Sequence, residues 1–301
     1  MKTAEAFAPA HITGLFQICD EPAHPLYKGS RGAGISIKRG VKTKVIIKNT
    51  LENDLEIWIN GCKTASASVS ETVTKDFLSR VKEKIAVVIE HTVRVPIGAG
   101  FGSSGAAALS LAFALNKVLN LDLTSIEVAQ KAHTAEVLCK TGLGTVIAET
   151  FGGLEIRTVP GAPGVGKVKH ISISDDYLVA CLSFGSLSTR KALTNAKLCE
   201  RINKWGGKLL KKLMEKPDLE SFLKLSKRFA EHTGLITERV RRVLNETDAS
   251  GIVCSMPMFG EGIFSVVKKD DLETLLKIFR KHGSTDKIII SKIDFEGARL
   301  L

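Results

Sequence analysis

Hydrophobic positions along the chain change period several times, and the changes mark out its elements. Residues 34–48 alternate in part and are rich in Val and Ile, and residues 55–59 (Leu-Glu-Ile-Trp-Ile) alternate cleanly, so both stretches predict strands. Val73, Phe77, Leu78 and Val81 share one face of a helix over 71–83. Ile85 to Val95 is a long β-type run that ends at Pro96, which cannot continue a ladder. A glycine-rich turn over 98–105 leads into a helix from Ser104 to Leu119 that is apolar nearly all round, the pattern of a central, buried helix. Thr124 and Glu127 form a capping box at the start of the next helix, which runs to about Lys140 with Gly142 as its C′ glycine. Gly152-Gly153 marks a turn, and Leu154 to Val159 reads as a strand.

The stretch 160–166 (Pro-Gly-Ala-Pro-Gly-Val-Gly) is dense in Pro and Gly and suggests a boundary between two domains, 1–160 and 161–301. The second half predicts strands at 168–173 and 177–184 and helices at about 190–215, 218–230 and 234–246. Strands near 251–256 and 262–267, a helix at 270–282 and a strand at 286–292 complete it. No internal repeat is visible. The whole reads as α+β, not as a regular βαβ array.

Composition narrows the class. The chain has 301 residues, 44% hydrophobic and 25% charged, as in ordinary soluble globular proteins. It has no run of the ~18 apolar residues that a membrane helix needs and no signal-peptide pattern, so a cytoplasmic protein without membrane contact is expected. Six cysteines at 19, 62, 139, 181, 199 and 254 form no Cys-x-x-Cys pair, and the seven histidines form no His-Glu-x-x-His. Free thiols and no transition-metal site follow. The net charge is +11, and most of the surplus falls within 186–245, where 15 Lys+Arg meet 6 Asp+Glu. Lys204, Lys208, Lys211 and Lys212 recur at helical spacing, which fits a solvated helical face. With few aromatics interleaved, nucleic acid is not an expected partner.

The chemistry concentrates in Pro96-Ile97-Gly98-Ala99-Gly100-Phe101-Gly102-Ser103-Ser104-Gly105-Ala106. Alternating glycines let a backbone approach a ligand, and the helix that follows offers unpaired N–H groups and the positive end of its dipole. Together they form an anion cradle suited to phosphates, with Ser103 and Ser104 as added donors and a candidate Mg²⁺ ligand. Gly100-x-Gly102-x-x-Gly105 with Asp122 beyond it also fits a dinucleotide fingerprint, but about a hundred residues precede it, and that motif belongs to the first turn of a doubly wound sheet. A Walker A reading fails for want of Gly-Lys-Ser/Thr. Further on, Ala129, Ala132, His133 and Glu136 share a helix face, so Glu136 turns inward. Its partner is then either a salt-bridged neighbour or a Mg²⁺ ion on phosphates.

These residues resemble a known family. Pro96 to Ala106 is similar to the phosphate-binding motif of the GHMP kinases, which include galactokinase, homoserine kinase and mevalonate kinase. Ala8-Pro9-Ala10-His11-Ile12-Thr13-Gly14 resembles their N-terminal motif. Ser255 to Gly262 stands in place of their C-terminal glycine-rich motif, with fewer glycines. Ala132-His133-x-x-Glu136, followed by Gly142-Leu143-Gly144 and Gly152-Gly153, resembles the segment that carries their Mg²⁺ ligand. Ala8–Phe16, Gly29–Gly34 and the Gly98–Gly105 loop with Phe101 are most similar to the archaeal pantoate kinases.

The resemblance implies a two-domain fold: an N-terminal α/β domain with a left-handed crossover, a C-terminal ferredoxin-like domain, and the site between them. It implies ATP-dependent phosphorylation of pantoate to 4-phosphopantoate, a step toward coenzyme A. Homoserine or shikimate kinase is the same-class alternative, and an NAD(P)-binding oxidoreductase the different-class one. ATP would lie against Pro96, Gly98, Ala99, Gly100, Phe101, Gly102, Ser103, Ser104 and Gly105, with Ser104 and Glu136 on Mg²⁺. A cation must hold the pantoate carboxylate, and Arg suits its geometry. Arg31, in a glycine-flanked loop, is the first candidate and Arg190 the second, with His11 lining the acceptor pocket. A homodimer is compatible with the resemblance. One position departs: many of these kinases carry an aspartate, taken as catalytic base, where this chain has Thr145. Threonine can only orient the acceptor through a hydrogen bond, and general-base catalysis is typically worth ~10²–10⁴-fold.

Overall fold

The computed structural model describes residues 1–50, 52–187 and 195–301. Two long antiparallel strands, β1 (Lys2–Cys19) and β2 (Gly29–Asn49), form its spine. The first half of β2 pairs with β6 (Leu154–Val159), and its second half pairs with β5 (Ile85–Val93). β3 (Asp54–Ile59) lies parallel to β5 and reaches it through β4 (Cys62–Lys63) and helix α1 (Ser68–Leu78), which is the crossover unit. β7 (Lys167–Ile171) and the C-terminal β11 (Arg299–Leu300) extend the same eight-stranded sheet from beyond residue 160.

The hydrophobic pattern predicts no element over residues 2–19, yet they form a strand paired along its whole length. Its inward positions Ala4, Ala6 and Ala8 are small and carry little β signal of their own. Their smallness serves the helix above them. α2 (Ser103–Leu119) packs on β1 and β2, and Ala106, Ala108 and Leu109 bury against this alanine stripe. α2 is buried on most of its surface, as its apolar pattern predicts.

α3 (Ser125–Cys139) begins at the predicted capping box: Glu127 N donates to Thr124 Oγ1 at 3.3 Å and Thr124 N donates to Glu127 Oε2 at 2.8 Å. Its end differs from the expectation. The left-handed residue is Lys140, at φ 56°, and Gly142 is not in that region. Gly142 is glycine for another reason, since a Cβ there would collide with Glu136 Oε2. α4 (Thr145–Phe151), which the pattern does not reveal, is a seven-residue helix bracketed by glycines.

The second sheet has the order β10 (Ile288–Lys292), β8 (Leu178–Ser186), β9 (Gly260–Val267). The strand expected near 251–256 is reduced to one bridge, Ser255 to Phe264, at the edge beside β9. With that remnant the order is the ferredoxin-like one. Helices α5 (Ala196–Glu215), α6 (Leu219–Thr233), α7 (Glu238–Ala249) and α8 (Lys269–His282) complete the fold. α5 packs on β1 so closely that a Cβ at Gly206 would collide with the Phe16 carbonyl. Its Lys204, Lys208, Lys211 and Lys212 are exposed, the solvated face that their spacing suggests. No helix among the described residues is long and apolar enough to cross a membrane, and no disulfide joins the six cysteines.

One buried polar cluster ties the first layer together. His91 on β5 shares hydrogen bonds with Thr43 Oγ1 (2.8 Å) on β2 and Ser70 Oγ (3.1 Å) on α1, and Thr43 reaches Ser110 on α2 (2.6 Å). Burial pushes the His91 pKa from 6.5 down to about 4. The unfolded chain therefore takes up a proton near pH 6.5 that the folded chain refuses until about pH 4. Stability is then flat above pH 6.5 and falls as pH drops through this window, by roughly 3 kcal/mol for this group. A melting series from pH 7.5 to 4 is expected to show the decline, and a His91→Gln protein to show a shallower one. Equal slopes would remove His91 as the cause.

Candidate active site

The loop between β5 and α2 turns on Gly98, Gly100 and Gly102, at φ +73°, +82° and +65°. A side chain in this left-handed region is strained, which accounts for the alternating glycines. Gly100 is also crowded: a Cβ there would stand 2.8 Å from the Met258 carbonyl and 3.0 Å from Gly260 N. Gly102 is the N-cap of α2 and brings no side-chain cap, so the first-turn amides are open. They face a cavity of about 370 Å³. Loop residues Gly98 and Gly100 to Ser104 form one wall of it, and the α3–α4 turn from Lys140 to Thr145 forms another. His11, Thr13, Phe16 and Ser30 come from β1 and β2, and Met258 and Phe259 close it from the second half of the chain.

Glu136 lies behind the α3–α4 wall and is only 2% exposed. Thr141 Oγ1 donates to its Oε1 at 2.6 Å, and the Ser104 hydroxyl also bonds to it. Burial raises its pKa above the ordinary carboxylate value, and these two hydrogen bonds partly counter that. His133, one turn earlier on α3, has a structural role. Its Nε2 meets the carbonyls of Pro25 (3.2 Å) and Lys28 (3.0 Å) and pins the turn between β1 and β2. Burial lowers its pKa, so the neutral ring is favoured.

On the opposite side a buried polar chain runs away from the cavity. Thr13 Oγ1 is 3.3 Å from His11 Nδ1, His11 Nε2 is 2.9 Å from Glu155 Oε1, and Arg157 Nη1 donates to the same oxygen at 2.6 Å. Burial lowers the His11 pKa despite the Glu155 carboxylate beside it. A neutral His11 that donates from Nε2 to Glu155 and accepts the Thr13 hydroxyl at Nδ1 satisfies every contact. Arg157 is 1% exposed, and its Nε has no partner among the described residues. A Cβ on Gly144, which lines the cavity, would stand 3.1 Å from that Nε and collide with Ser30 Oγ. The unpaired donor thus lies directly behind the cavity wall.

Comparison with known proteins decides what this arrangement belongs to. Residues 69–153 match the GHMP kinases N terminal domain. The chain is 36% identical to the pantoate kinase of Methanocaldococcus jannaschii over 91% of its own length and 96% of that protein's. It is 35% identical to the pantoate kinase of Thermococcus kodakarensis over 89% of each. The chain belongs to the GHMP kinases, in the pantoate kinase family. A solved structure described as a phosphotransferase related to the CoA biosynthesis pathway superposes with a TM-score of 0.89 at 30% identity, over 99% of this chain and 98% of that one.

For a GHMP kinase, the structure brings together most of the residues expected from the sequence. Gly98, Gly100, Phe101, Gly102, Ser103 and Ser104 line the cavity, with Thr145 and His11 across from them. Pro96, Ala99 and Gly105 do not line it. Ala99 is buried, and Gly105 turns away toward Glu149 and Thr145. Arg31 is not in the cavity either. Its Nε donates to the Thr158 carbonyl at 3.1 Å, and its Nη1 lies 3.5 Å from Gln17 Oε1. Successive strand residues point to opposite faces, so β2 sends Ser30 to the site and Arg31 away from it. Arg190 lies outside the described residues. Asp122 is exposed beyond the far end of α2, about 25 Å of helix from the loop, which removes the dinucleotide reading. Glu149, Glu155 and Arg157 are functional candidates that the sequence pattern does not single out. For the last two a signal exists, because a Glu and an Arg two apart on one strand share a face and can pair.

Proposed function

We propose that this protein transfers the γ-phosphoryl group of ATP to the terminal hydroxyl of pantoate, giving 4-phosphopantoate. One observation carries the reading: a single cavity has the open amides of α2 and the Ser104–Glu136 pair on one side, and a buried, incompletely paired arginine behind the other. The first side suits the phosphates of a nucleotide. The second suits a carboxylate, which Arg157 and the Ser30 hydroxyl would hold in place of Arg31. Between them, Phe16 and Phe259 meet edge to face at 5.6 Å and offer an apolar surface to a branched carbon such as pantoate's dimethyl centre.

Glu136 and Ser104 present oxygen ligands only, and Glu136 Oε2 lies against the bare Cα of Gly142, so the pair fits a hard divalent cation. Bound there, Mg²⁺ would neutralise charge on the transferring phosphates. The chain's own residues position: loop amides hold the triphosphate, Arg157 and Ser30 orient the acceptor, and Thr145 directs its hydroxyl. Phosphoryl transfer through a loose transition state depends mainly on such positioning and charge stabilisation. The chain works here as two units, with 1–160 supplying the phosphate loop and 161–301 closing the site through Met258 and Phe259.

An ADP-release assay with Mg·ATP over pantoate, homoserine, shikimate and mevalonate tests the proposal. Release with pantoate alone is expected, with phosphorus NMR placing the phosphate on the terminal hydroxyl. Turnover of another acceptor with none of pantoate would overturn the assignment.

A further inference from the structure

Beneath the phosphate loop lies a carboxyl group that the proposed phosphoryl transfer does not use. Glu149 sits on α4 one turn after Thr145, on the same side of the helix. It is wholly buried, and neither of its oxygens has a hydrogen-bond partner among the described residues. Burial, and secondarily the charge of Glu136, holds its pKa well above the ordinary value. Buried polar groups are rarely left unpaired, and the exceptions concentrate at functional sites.

Two glycines locate this carboxyl against the loop. A Cβ on Gly102 would stand 2.5 Å from Glu149 Oε1, and one on Gly105 would stand 2.8 Å from Oε2. Thr145 fills the rest of that space, with its Cγ2 under Gly102 and its Cβ 3.3 Å from the Gly105 position. Gly105 lies within α2 at an ordinary helical backbone angle, so conformation does not require a glycine there. Room for Glu149 and Thr145 does. The platform below is fixed: Ala298 N donates to the Glu149 carbonyl at 3.0 Å, and Ser36 Oγ reaches the Ala148 carbonyl at 3.5 Å. The carboxyl is therefore a wedge between a held helix and a glycine loop.

We infer that Glu149 is a positioning residue for phosphoryl transfer: wedged beneath Gly102 and Gly105, its carboxyl sets the height of the phosphate loop over Thr145 and so the placing of the α2 amides. This rests on reading that loop as the nucleotide's phosphate site. It also gives a reason for Thr145. A carboxylate at that position would press against Glu149 from one side and, across Gly142, against Glu136 from the other. The uncharged threonine separates the two acids.

The test uses the full chain, with Mg²⁺-free ADP as the probe of the loop. Glu149→Ala removes the wedge and is expected to lose at least tenfold in kcat and in ADP affinity while the pantoate KM stays within twofold. Glu149→Met fills the same room and is expected to keep kcat and ADP affinity within threefold of the parent. Parent-like kcat and ADP binding in Glu149→Ala, or a loss in Glu149→Met equal to that in Glu149→Ala, overturns the proposal. Gly105→Ala puts a methyl against Glu149 and is expected to weaken ADP binding at least tenfold. Adding Glu149→Ala to Gly105→Ala should recover most of that loss, and a failure to recover also overturns it. If the parent protein binds no ADP, the reading of the loop fails and this inference with it. Normal parent binding with an unaffected Glu149→Ala sinks this inference alone.

Discussion

Glu136→Gln is expected to reduce kcat at saturating Mg·ATP and pantoate by at least a hundredfold while leaving the melting temperature unchanged or higher. Glutamine keeps the shape and still accepts from Thr141 and Ser104, so the α3–α4 wall should survive the exchange. It also removes an acid that burial already disfavours in its charged form. What it cannot do is carry a negative charge toward a divalent cation. A hundredfold corresponds to about 2.7 kcal/mol of transition-state stabilisation, well within the several kcal/mol that a metal clamp contributes. Ser104→Ala removes the neutral hydroxyl proposed to share that cation and should cost less. A Glu136→Gln enzyme within threefold of the parent would show that Glu136 serves the wall and not the nucleotide.

Patterns that depend on neighbours in the chain are legible in the sequence. The Thr124–Glu127 box, the limits of β6 and the apolar turn of α2 follow from local spacing alone. The glycine loop before α2 is legible because three left-handed glycines in alternation leave a signature in the letters. β1 is not, since its alanines make sense only once α2 lies on them. The acceptor side fails by one residue of strand parity. Arg31 and Ser30 are neighbours, and only the pairing of Ser30 with Ile18 and of Arg31 with Gln17 decides which of them enters the site. Glu155 and Arg157 are hidden by the opposite error. In Leu-Glu-Ile-Arg the charged letters resemble a solvent face, but β6 lies between β2 and β7 and turns that face onto His11, Gly32 and Gly144. Glu149 is hidden likewise, in a helix too short for its period to show.

Arg157 should produce the largest combined effect of any single residue, because it pairs with Glu155 in the core and, in the proposed function, also holds the acceptor. Arg157→Met strands Glu155 in the interior with His11 as its remaining partner. Breaking a buried ion pair costs roughly 3–5 kcal/mol, which lowers the melting temperature by about 5–8 °C in a chain of this size. Such a loss alone would not separate structure from recognition, and two companions do. Arg157→Lys keeps the charge beside Glu155 but gives up the fork, including the unpaired Nε behind Gly144. It is expected to keep most of the stability and to raise the pantoate KM ten- to a hundredfold, about 1.5–3 kcal/mol of charge-assisted hydrogen bonding, with the ATP KM unchanged. The pair Arg157→Met and Glu155→Met removes both buried charges and should recover stability relative to Arg157→Met, because an apolar pair of similar volume is no worse than a buried ion pair. It should not recover pantoate binding. An Arg157→Lys enzyme with the parent's pantoate KM would leave Arg157 a purely structural partner of Glu155, and the search for the acceptor's cation would move to Lys140, a basic residue of the cavity wall.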